Sequence, residues 1–220
     1  MQMFIRPLAI LILATGLSLN AVAATTPEAG MNQAIRALQQ AWAKATYQTP
    51  ESGREAAFKA LSEETHQLSR KFPGRAEPMI WEAIVLSGYA RAEGGLAALA
   101  HVKQARDLLL AAEKLDAGAL DGSVYTSLGS LYYKVPGWPL SFGDDGKARD
   151  YLAKALSMNP TGIDPNYFQG DFLLGQGDYT AAAEALQRAL SAPPRPGREL
   201  ADAGRRAEIR KDLQEVESRL

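Results

Sequence analysis

The chain has 220 residues, 46% of them hydrophobic, and its 24 Lys and Arg residues against 25 Asp and Glu residues give a formal net charge of −1. This length and composition predict one sizeable core or a short array of repeats. Cysteine is absent, which excludes a disulfide framework, a thiolate metal site, a cysteine nucleophile and a lipid anchor attached through cysteine. The near-neutral charge gives no support for nucleic acid or an anionic membrane surface as a partner.

The first residues have the pattern of an export signal. Arg6 precedes an apolar run, and the small residues Ala21–Ala23 fit the rule for signal cleavage. An uncleaved anchor is the alternative, but the run is shorter than the roughly 20 residues that a spanning helix needs. We expect a signal peptide over residues 1–24 and one helical-repeat domain over residues 25–220. The pattern of the signal peptide is typical of Gram-negative bacteria, so we expect the mature protein to be located in the periplasm, with no stable membrane insertion after cleavage.

A degenerate helical hairpin is predicted at the front of the mature chain. The stretches "NQAIRALQQAWAKATY" and "REAAFKALSEETHQLSRKF" have apolar residues three or four positions apart. Thr49 and Pro50 separate them, and Pro73 and Gly74 end the second. The next hairpin begins with Trp81 and occupies about residues 77–118.

Two further hairpins, at about residues 122–161 and 163–195, repeat one pattern. The segment "KARDYLAKALSMNP" matches "AAAEALQRALSAPP" at an offset of 34 residues, a period at which helical hairpins stack into solenoids. Small residues at the repeated positions allow two antiparallel helices to approach closely. The residues to which we assign this structural role are Gly129, Ala148, Ala155, Pro160, Gly170, Ala182 and Ala189. A charged helix over residues 199–220 is predicted to cap the array, and because no segment alternates with a period of two, we expect no sheet.

Two turns inside these hairpins are expanded. The stretch "VPGWPLSFGDD" lengthens the turn of the 122–161 hairpin by seven residues over that of the next hairpin, and "RAEGGLAALAH" expands the turn of the 77–118 hairpin. Stacking places both insertions on one edge of the solenoid, where insertions often bind partners. Trp138 and Phe142 either contact a partner there or fold back to cover their own helices, and the sequence leaves both possibilities open.

Catalytic and metal motifs are not recognisable. Gly146 and Lys147 lack the preceding glycine of a phosphate loop, and neither His66 nor His101 has ligands at metal spacing. Asp144, Asp145 and Asp164 are each predicted to cap the start of a helix, and Asp178 is assigned to the turn of its repeat. A calcium site at Asp144 and Asp145 does not fit any known loop spacing. We expect no enzyme, no cofactor and no metal.

The last hairpin and the segment after it contain the other candidate contacts. Tyr167 and Phe168 lie on the helix that would line the concave groove, where they either hold an extended peptide or pack between helices. Several arginines follow, and they either pair with acidic residues of their own helix or offer a site for a carboxylate. They are Arg195, Arg198, Arg205 and Arg206, of which we select Arg198 and Arg205 as partner-binding candidates.

The motifs "YTSLGSLYY", "KARDYLAKALSMNP" and "QGDYTAAAEALQRALSAPP" resemble those of tetratricopeptide-repeat (TPR) proteins. The resemblance implies an all-α superhelix of stacked antiparallel hairpins that binds other proteins. More distantly, the chain is similar to the T component of periplasmic TRAP transporter systems, a helical scaffold that associates with a substrate-binding protein. We therefore expect a periplasmic adaptor whose partner is an envelope protein or peptide. The alternative is a periplasmic accessory protein of a transport system that binds a small ligand or peptide, and an enzyme comes third.

Overall fold

The computed structural model describes residues 26–220, which form nine α-helices and contain no β-strand beyond one isolated bridge. The predicted signal peptide lies outside the described residues. The helices are α1 (Pro27–Tyr47), α2 (Glu51–Lys71), α3 (Ala76–Glu93), α4 (Ala98–Asp116), α5 (Ala119–Lys134), α6 (Asp145–Met158), α7 (Ile163–Gly175), α8 (Tyr179–Leu190) and α9 (Glu199–Glu217). Across residues 26–220, every helix is too short or too polar to traverse a bilayer.

Consecutive helices pair into hairpins, α1 with α2, α3 with α4, α5 with α6, and α7 with α8. The second helix of each of the last three hairpins places an Ala–Leu–Ala triplet in the core with no exposed surface. The triplets are Ala105, Leu109 and Ala112; Ala148, Leu152 and Ala155; and Ala182, Leu186 and Ala189. The predicted all-α fold of stacked hairpins is confirmed.

Glycines bring the paired helices into contact. A Cβ atom at Gly129 would lie 2.7 Å from Leu152 Cγ, and one at Gly170 would lie 2.6 Å from Leu186 Cγ. Real carbon atoms do not approach so closely, so both hairpins depend on the missing side chain. The turn after α6 contains Pro160, whose carbonyl oxygen accepts a hydrogen bond from Asn166 Nδ2 at 2.8 Å.

Aspartates cap the start of two helices: Asp144 does so as predicted, and Asp178, which the sequence assigned to a turn, does so as well. Asp144 accepts a hydrogen bond from the Lys147 amide at 3.0 Å, and Asp178 accepts one from the Ala181 amide at 3.2 Å. The prediction for Asp164 was wrong, because α7 begins at Ile163 and the Asp164 carboxylate turns instead towards the C-terminal segment. The local pattern of an acid before proline does not distinguish a cap from a tertiary ion pair.

The odd-numbered helices form a closed ring. Helices α1, α3, α5, α7 and α9 each contact the next in this order, and α9 also contacts α1. At this junction Tyr47 donates a hydrogen bond to Glu208 Oε2 at 3.2 Å, and a Cβ atom at Gly204 would lie 2.4 Å from the Tyr47 ring. The C-terminal helix therefore contacts the first helix as well as α8, a closure that the sequence did not predict.

Candidate functional site

A cavity of about 750 Å³ lies inside the ring and is lined mainly by the odd-numbered helices. It extends along α5, because Asp121 near the start of that helix and Lys134 at its end both line it. The first helix of each hairpin therefore faces the concave side, as expected for this kind of repeat.

Aromatic side chains cover much of the cavity wall. Trp42 and Trp81 meet edge to face with ring centroids 6.4 Å apart, and Tyr167 and Phe168 do so at 5.1 Å. Tyr167 is 8% exposed and Phe168 is half-buried. Both residues therefore pack between helices and also line the groove, and their contact with an extended peptide stays a prediction.

An ion-pair network joins α7 to the C-terminal segment beside this wall. The Asp164 carboxylate lies 2.7 Å from Arg195 Nη1 and 2.9 Å from Arg205 Nε, while Arg205 Nη1 lies 2.7 Å from Glu208 Oε2. Burial alone would raise the pKa of Asp164, but Arg205 and Arg195 together lower it well below its usual value. Asp164 is therefore ionised at neutral pH.

The hydrogen-bond donors Nε and Nη1 of Arg205 are used within this network. Its guanidinium is buried and lies 4.2 Å from the Tyr167 ring centroid and 4.9 Å from that of Phe168. Burial lowers its pKa, and the larger combined effect of Asp164, Glu208 and the nearby tyrosines raises it. The ion pair of Arg205 with Glu208 lies within α9, as expected. Its other ion pair is with Asp164, which belongs to α7. Arg205 thus joins α9 to α7.

Arg198 differs from its neighbours. Its guanidinium lies 5.3 Å from the Trp81 ring centroid, and its Nε atom is buried with no hydrogen-bond acceptor among residues 26–220. Burial, and then the charge of Arg195, lower the pKa of Arg198. Arg206, by contrast, donates to the Ala192 carbonyl oxygen at 2.8 Å and lies outside the cavity lining.

The longer insertion, residues 135–144, is an ordered loop. The Gly143 amide donates to the Pro136 carbonyl oxygen at 3.0 Å, which brings the two ends of the loop together. Phe142 packs edge to face on Tyr132 at 5.5 Å, and the Arg106 guanidinium lies 4.6 Å from the centroid of the Phe142 ring. Phe142 therefore covers its own helices.

Trp138, unlike Phe142, does not pack on the helices of its hairpin, because 91% of its surface is exposed. Leu140 in the same loop is 60% exposed, and Leu96 in the shorter insertion is 78% exposed. Gly95 from one insertion and Pro136 from the other line the same cavity. Both insertions connect the two helices of a hairpin, and the two hairpins are neighbours in the stack, so the insertions lie at the same end of their hairpins. We call them together the insertion edge and define it as residues 94–99 and 135–144.

The remaining polar candidates have structural partners. His66 Nδ1 lies 2.9 Å from Glu82 Oε1, and His101 Nε2 lies 3.2 Å from Glu93 Oε2. Asp145 accepts a hydrogen bond from Gln176 Nε2 at 3.0 Å. In the part of the chain that the structure describes, no group of three or more histidine and acidic side chains is placed to hold a metal ion.

Sequence reasoning missed Trp42, Thr46 and Asp164 as cavity residues. Trp42 and Thr46 lie on the first helix of a hairpin too degenerate to align with the others, so their inward direction could not be assigned. An aromatic residue on such a helix was the available signal, since the first helices of the hairpins line the groove.

Comparisons with known proteins bear on the repeats. A tetratricopeptide-repeat family model matches residues 163–196, which contain α7 and α8. Among solved structures, the chain is similar to the crystal structure of a thermophilic TPR protein from Thermus thermophilus, with 15% sequence identity, a TM-score of 0.44, and coverage of 84% of this chain and 99% of that one. No curated protein matches the chain significantly.

Proposed function

We propose that the chain is a periplasmic adaptor that binds another envelope protein through its insertion edge and carries out no catalysis. The TPR match at residues 163–196 supports a role in protein–protein interaction. Export to the periplasm follows from the pattern of residues 1–24. The similarity to TRAP T components suggests one class of envelope partner, a substrate-binding protein.

The observation that carries the proposal is the exposed Trp138 on a rigid support. Tryptophan is among the residues that contribute most to binding when they fill a pocket on a partner. Because Phe142 and the hydrogen bonds of the loop already hold its backbone, binding would order little more than the Trp138 side chain. Leu140 and Leu96 extend the exposed apolar surface on the same edge.

The charged residues of the cavity support the non-catalytic part of the proposal. Asp164 and Glu208, which line it, are counterions of Arg195 and Arg205. A general acid or base needs a carboxyl group whose pKa lies near the working pH, and the pKa of Asp164 is shifted the other way.

The alternative of a ligand pocket formed by the aromatics of the two insertions is not favoured. Phe142 packs on Tyr132, and Trp138 points into solvent, so the insertions enclose no pocket of their own.

The binding part of the proposal is tested by photo-crosslinking in the periplasm of the source bacterium. A photoreactive amino acid at position 138 should capture one protein, whereas the same group at Leu115, which is 50% exposed at the far end of α4, should not. The Trp138→Ala variant of an affinity-tagged chain should lose that protein in a pull-down, and the matched Leu115→Ala variant should retain it. Retention of the same partner by Trp138→Ala would contradict the proposal.

The location is tested separately. Fractionation of cells that express a C-terminally tagged chain should place it in the periplasm, with a mass lacking residues 1–24. An unprocessed chain in the cytoplasm would contradict the proposed location and leave the pull-down result to stand by itself.

A further inference from the structure

The cavity wall contains buried polar atoms that have nothing to bind. Arg198 Nε, Trp81 Nε1 and Thr46 Oγ1 are all buried, and none has a hydrogen-bond partner among residues 26–220. All three residues line the cavity. Buried donors are nearly always satisfied in folded proteins, so several orphaned donors around one space indicate a missing acceptor.

The charges around the cavity indicate the sign of that acceptor. Asp164 pairs with Arg195 and Arg205, Asp202 pairs with Arg195, and Glu208 pairs with Arg205. The Arg198 guanidinium has no carboxylate in ion-pair contact within residues 26–220. An acceptor with one negative charge would complete the network.

The direction of the pKa shift of Arg198 agrees with a missing anion beside its guanidinium. Both removal from solvent and the charge of Arg195 lower its pKa, which means that the protonated side chain is destabilised where it lies. An anion beside the guanidinium would reverse that effect by direct attraction.

The rest of the wall indicates the body of the ligand. Trp42, Trp81, Tyr167 and Phe168 present ring surfaces to the cavity, and its volume of about 750 Å³ is that of a typical small-molecule site. An inorganic anion would leave these rings uncovered. The Arg198 guanidinium beside this aromatic part of the wall therefore suits a monoanion with an apolar body better than a phosphate.

We propose that the cavity binds a small organic monocarboxylate, whose carboxylate accepts hydrogen bonds from Arg198 and Trp81 and whose apolar body lies against Trp42, Tyr167 and Phe168. None of these five residues belongs to the insertion edge that is proposed to bind a protein, although Gly95 and Pro136 of that edge line another part of the same cavity. It is formed only when α9 closes onto α1, because Thr46 lies on α1 and Arg198 immediately precedes α9.

The chain contains a built-in reporter for such a ligand. It has three tryptophans, and once Trp138 is replaced by phenylalanine the two that remain, Trp42 and Trp81, both line the cavity. The full chain carrying Trp138→Phe is purified, refolded from urea to remove any co-purified ligand, and titrated with octanoate and with 4-phenylbutyrate. The neutral controls are octanamide and 4-phenylbutyramide.

We expect saturable changes in tryptophan fluorescence with at least one of the two carboxylates, and affinity about 10- to 100-fold weaker for its amide, because a hydrogen bond to a charged group contributes that much. This comparison needs no variant at the site. Equal binding of acid and amide, or no saturable change with either carboxylate, would overturn the proposal.

A charge-matched pair of variants locates the site. In the Trp138→Phe background, Arg198→Gln should weaken carboxylate binding about 10- to 100-fold and leave the thermal midpoint unchanged or higher, because an unpaired buried charge is removed. Arg210→Gln, an exposed residue of α9 outside the cavity, should bind as the parent does. Undiminished binding by a folded Arg198→Gln chain would overturn the assignment of Arg198.

Discussion

Two adjacent hairpins, α5–α6 and α7–α8, share their packing and differ in nearly everything else. Gly129 meets Leu152 in one as Gly170 meets Leu186 in the other, and the closest approach that an added Cβ atom would make is 2.7 Å in the first and 2.6 Å in the second. The second helices of both hairpins bury the same Ala–Leu–Ala triplet completely. A few small residues therefore specify how each hairpin closes and leave the other positions free.

The free positions give the two hairpins different inner walls. Counting from the paired glycines, Ser123 of α5 corresponds to Asp164 of α7, and Ser127 corresponds to Phe168. All four residues line the cavity. Helix α5 thus presents small hydroxyl groups to the cavity, whereas α7 presents aromatic rings and a charge that holds α9.

The outer turns differ as well. Residues 135–144 connect α5 to α6, whereas residues 176–178 connect α7 to α8. The longer turn displays Trp138 at the insertion edge, and the shorter one only closes its hairpin. Repeat packing and recognition surfaces are therefore separable along the chain, which suggests four ways to test the comparison.

The largest effect is expected where the α7 wall holds α9. Asp164→Asn removes the charge shared by Arg195 and Arg205, and we expect a loss of roughly 2 to 4 kcal/mol in the free energy of unfolding. Since the pKa of Asp164 is lowered in the folded state, this stabilisation is present above the unfolded pKa of about 3.9 and declines as the pH falls further. Urea denaturation at pH 7 and at pH 3 measures the loss of stability and its dependence on pH. The control is Asp150→Asn, since Asp150 is exposed. A loss of the same size at both values would contradict the ion-pair explanation.

The glycine–leucine contact that the two hairpins share is tested by replacing each glycine with a larger residue. Gly129→Leu and Gly170→Leu should each destabilise the fold by roughly 1 to 3 kcal/mol, since even the first added carbon would overlap a leucine. Gly30→Leu is the control, because a Cβ atom at Gly30 meets nothing within 4 Å. Denaturant titration compares the three variants. If the two repeat positions differed by more than the combined error of the measurements, the equivalence of the hairpins would fail.

The longer turn separates an anchor from a contact residue. Phe142→Ala should cost about 1 to 2 kcal/mol, because it loses the contacts with Tyr132 and Arg106. Trp138→Ala should change stability by no more than about 0.5 kcal/mol, since its side chain is exposed. Thermal and urea melts of the two variants, run side by side, would contradict this division if Trp138→Ala proved the more damaging.

The smallest effect has the opposite sign. Burial, followed by Asp171 and Glu208, raises the pKa of Asp212 on α9 to about 6, and Asp171 occupies the position at which α5 has Ser130. A raised carboxyl pKa makes the charged form unfavourable in the folded state, so stability falls as the pH rises from about 4 to about 6. Asp212→Asn should therefore stabilise the protein by on the order of 1 kcal/mol at pH 7, an amount discounted for partial exposure.

The control for Asp212→Asn is to measure its effect on stability at several pH values. The gain from Asp212→Asn should shrink as the pH falls and disappear near pH 3, where the carboxyl group is largely protonated in both the folded and the unfolded chain. A constant gain across pH 4 to 7, measured by denaturant titration at each value, would show that charge is not its cause.

Much of the packing could be read from the sequence because it is local and periodic. The 34-residue offset identified Ala148, Leu152 and Ala155 with Ala182, Leu186 and Ala189, and all six are fully buried. The cap at Asp144 followed from its position before a helix. Such features depend on neighbours within one hairpin, which short-range spacing describes.

The candidate site could be read only in part. Tyr167 and Phe168 were expected on the groove, and Arg198 was considered for a carboxylate, but nothing local distinguished Arg198 from Arg205. Their difference depends on Asp164, which lies more than thirty residues earlier and was assigned to a helix start. The partner of a charged side chain is set by which helices meet, and spacing within one helix does not contain that information.

By itself, the sequence determined the helical composition, the repeat period and the close contacts of glycine with leucine, because each rests on residues in one hairpin and its turn. The tertiary structure alone decided that α9 returns to α1, that the groove becomes a cavity, and that Arg198 and Trp81 line it, each with a buried side-chain nitrogen that has no hydrogen-bond partner among residues 26–220. Ring closure depends on the small rotation from each hairpin to the next, summed over the whole array. No single stretch of residues encodes that sum, so the site that it creates emerges only in the folded chain.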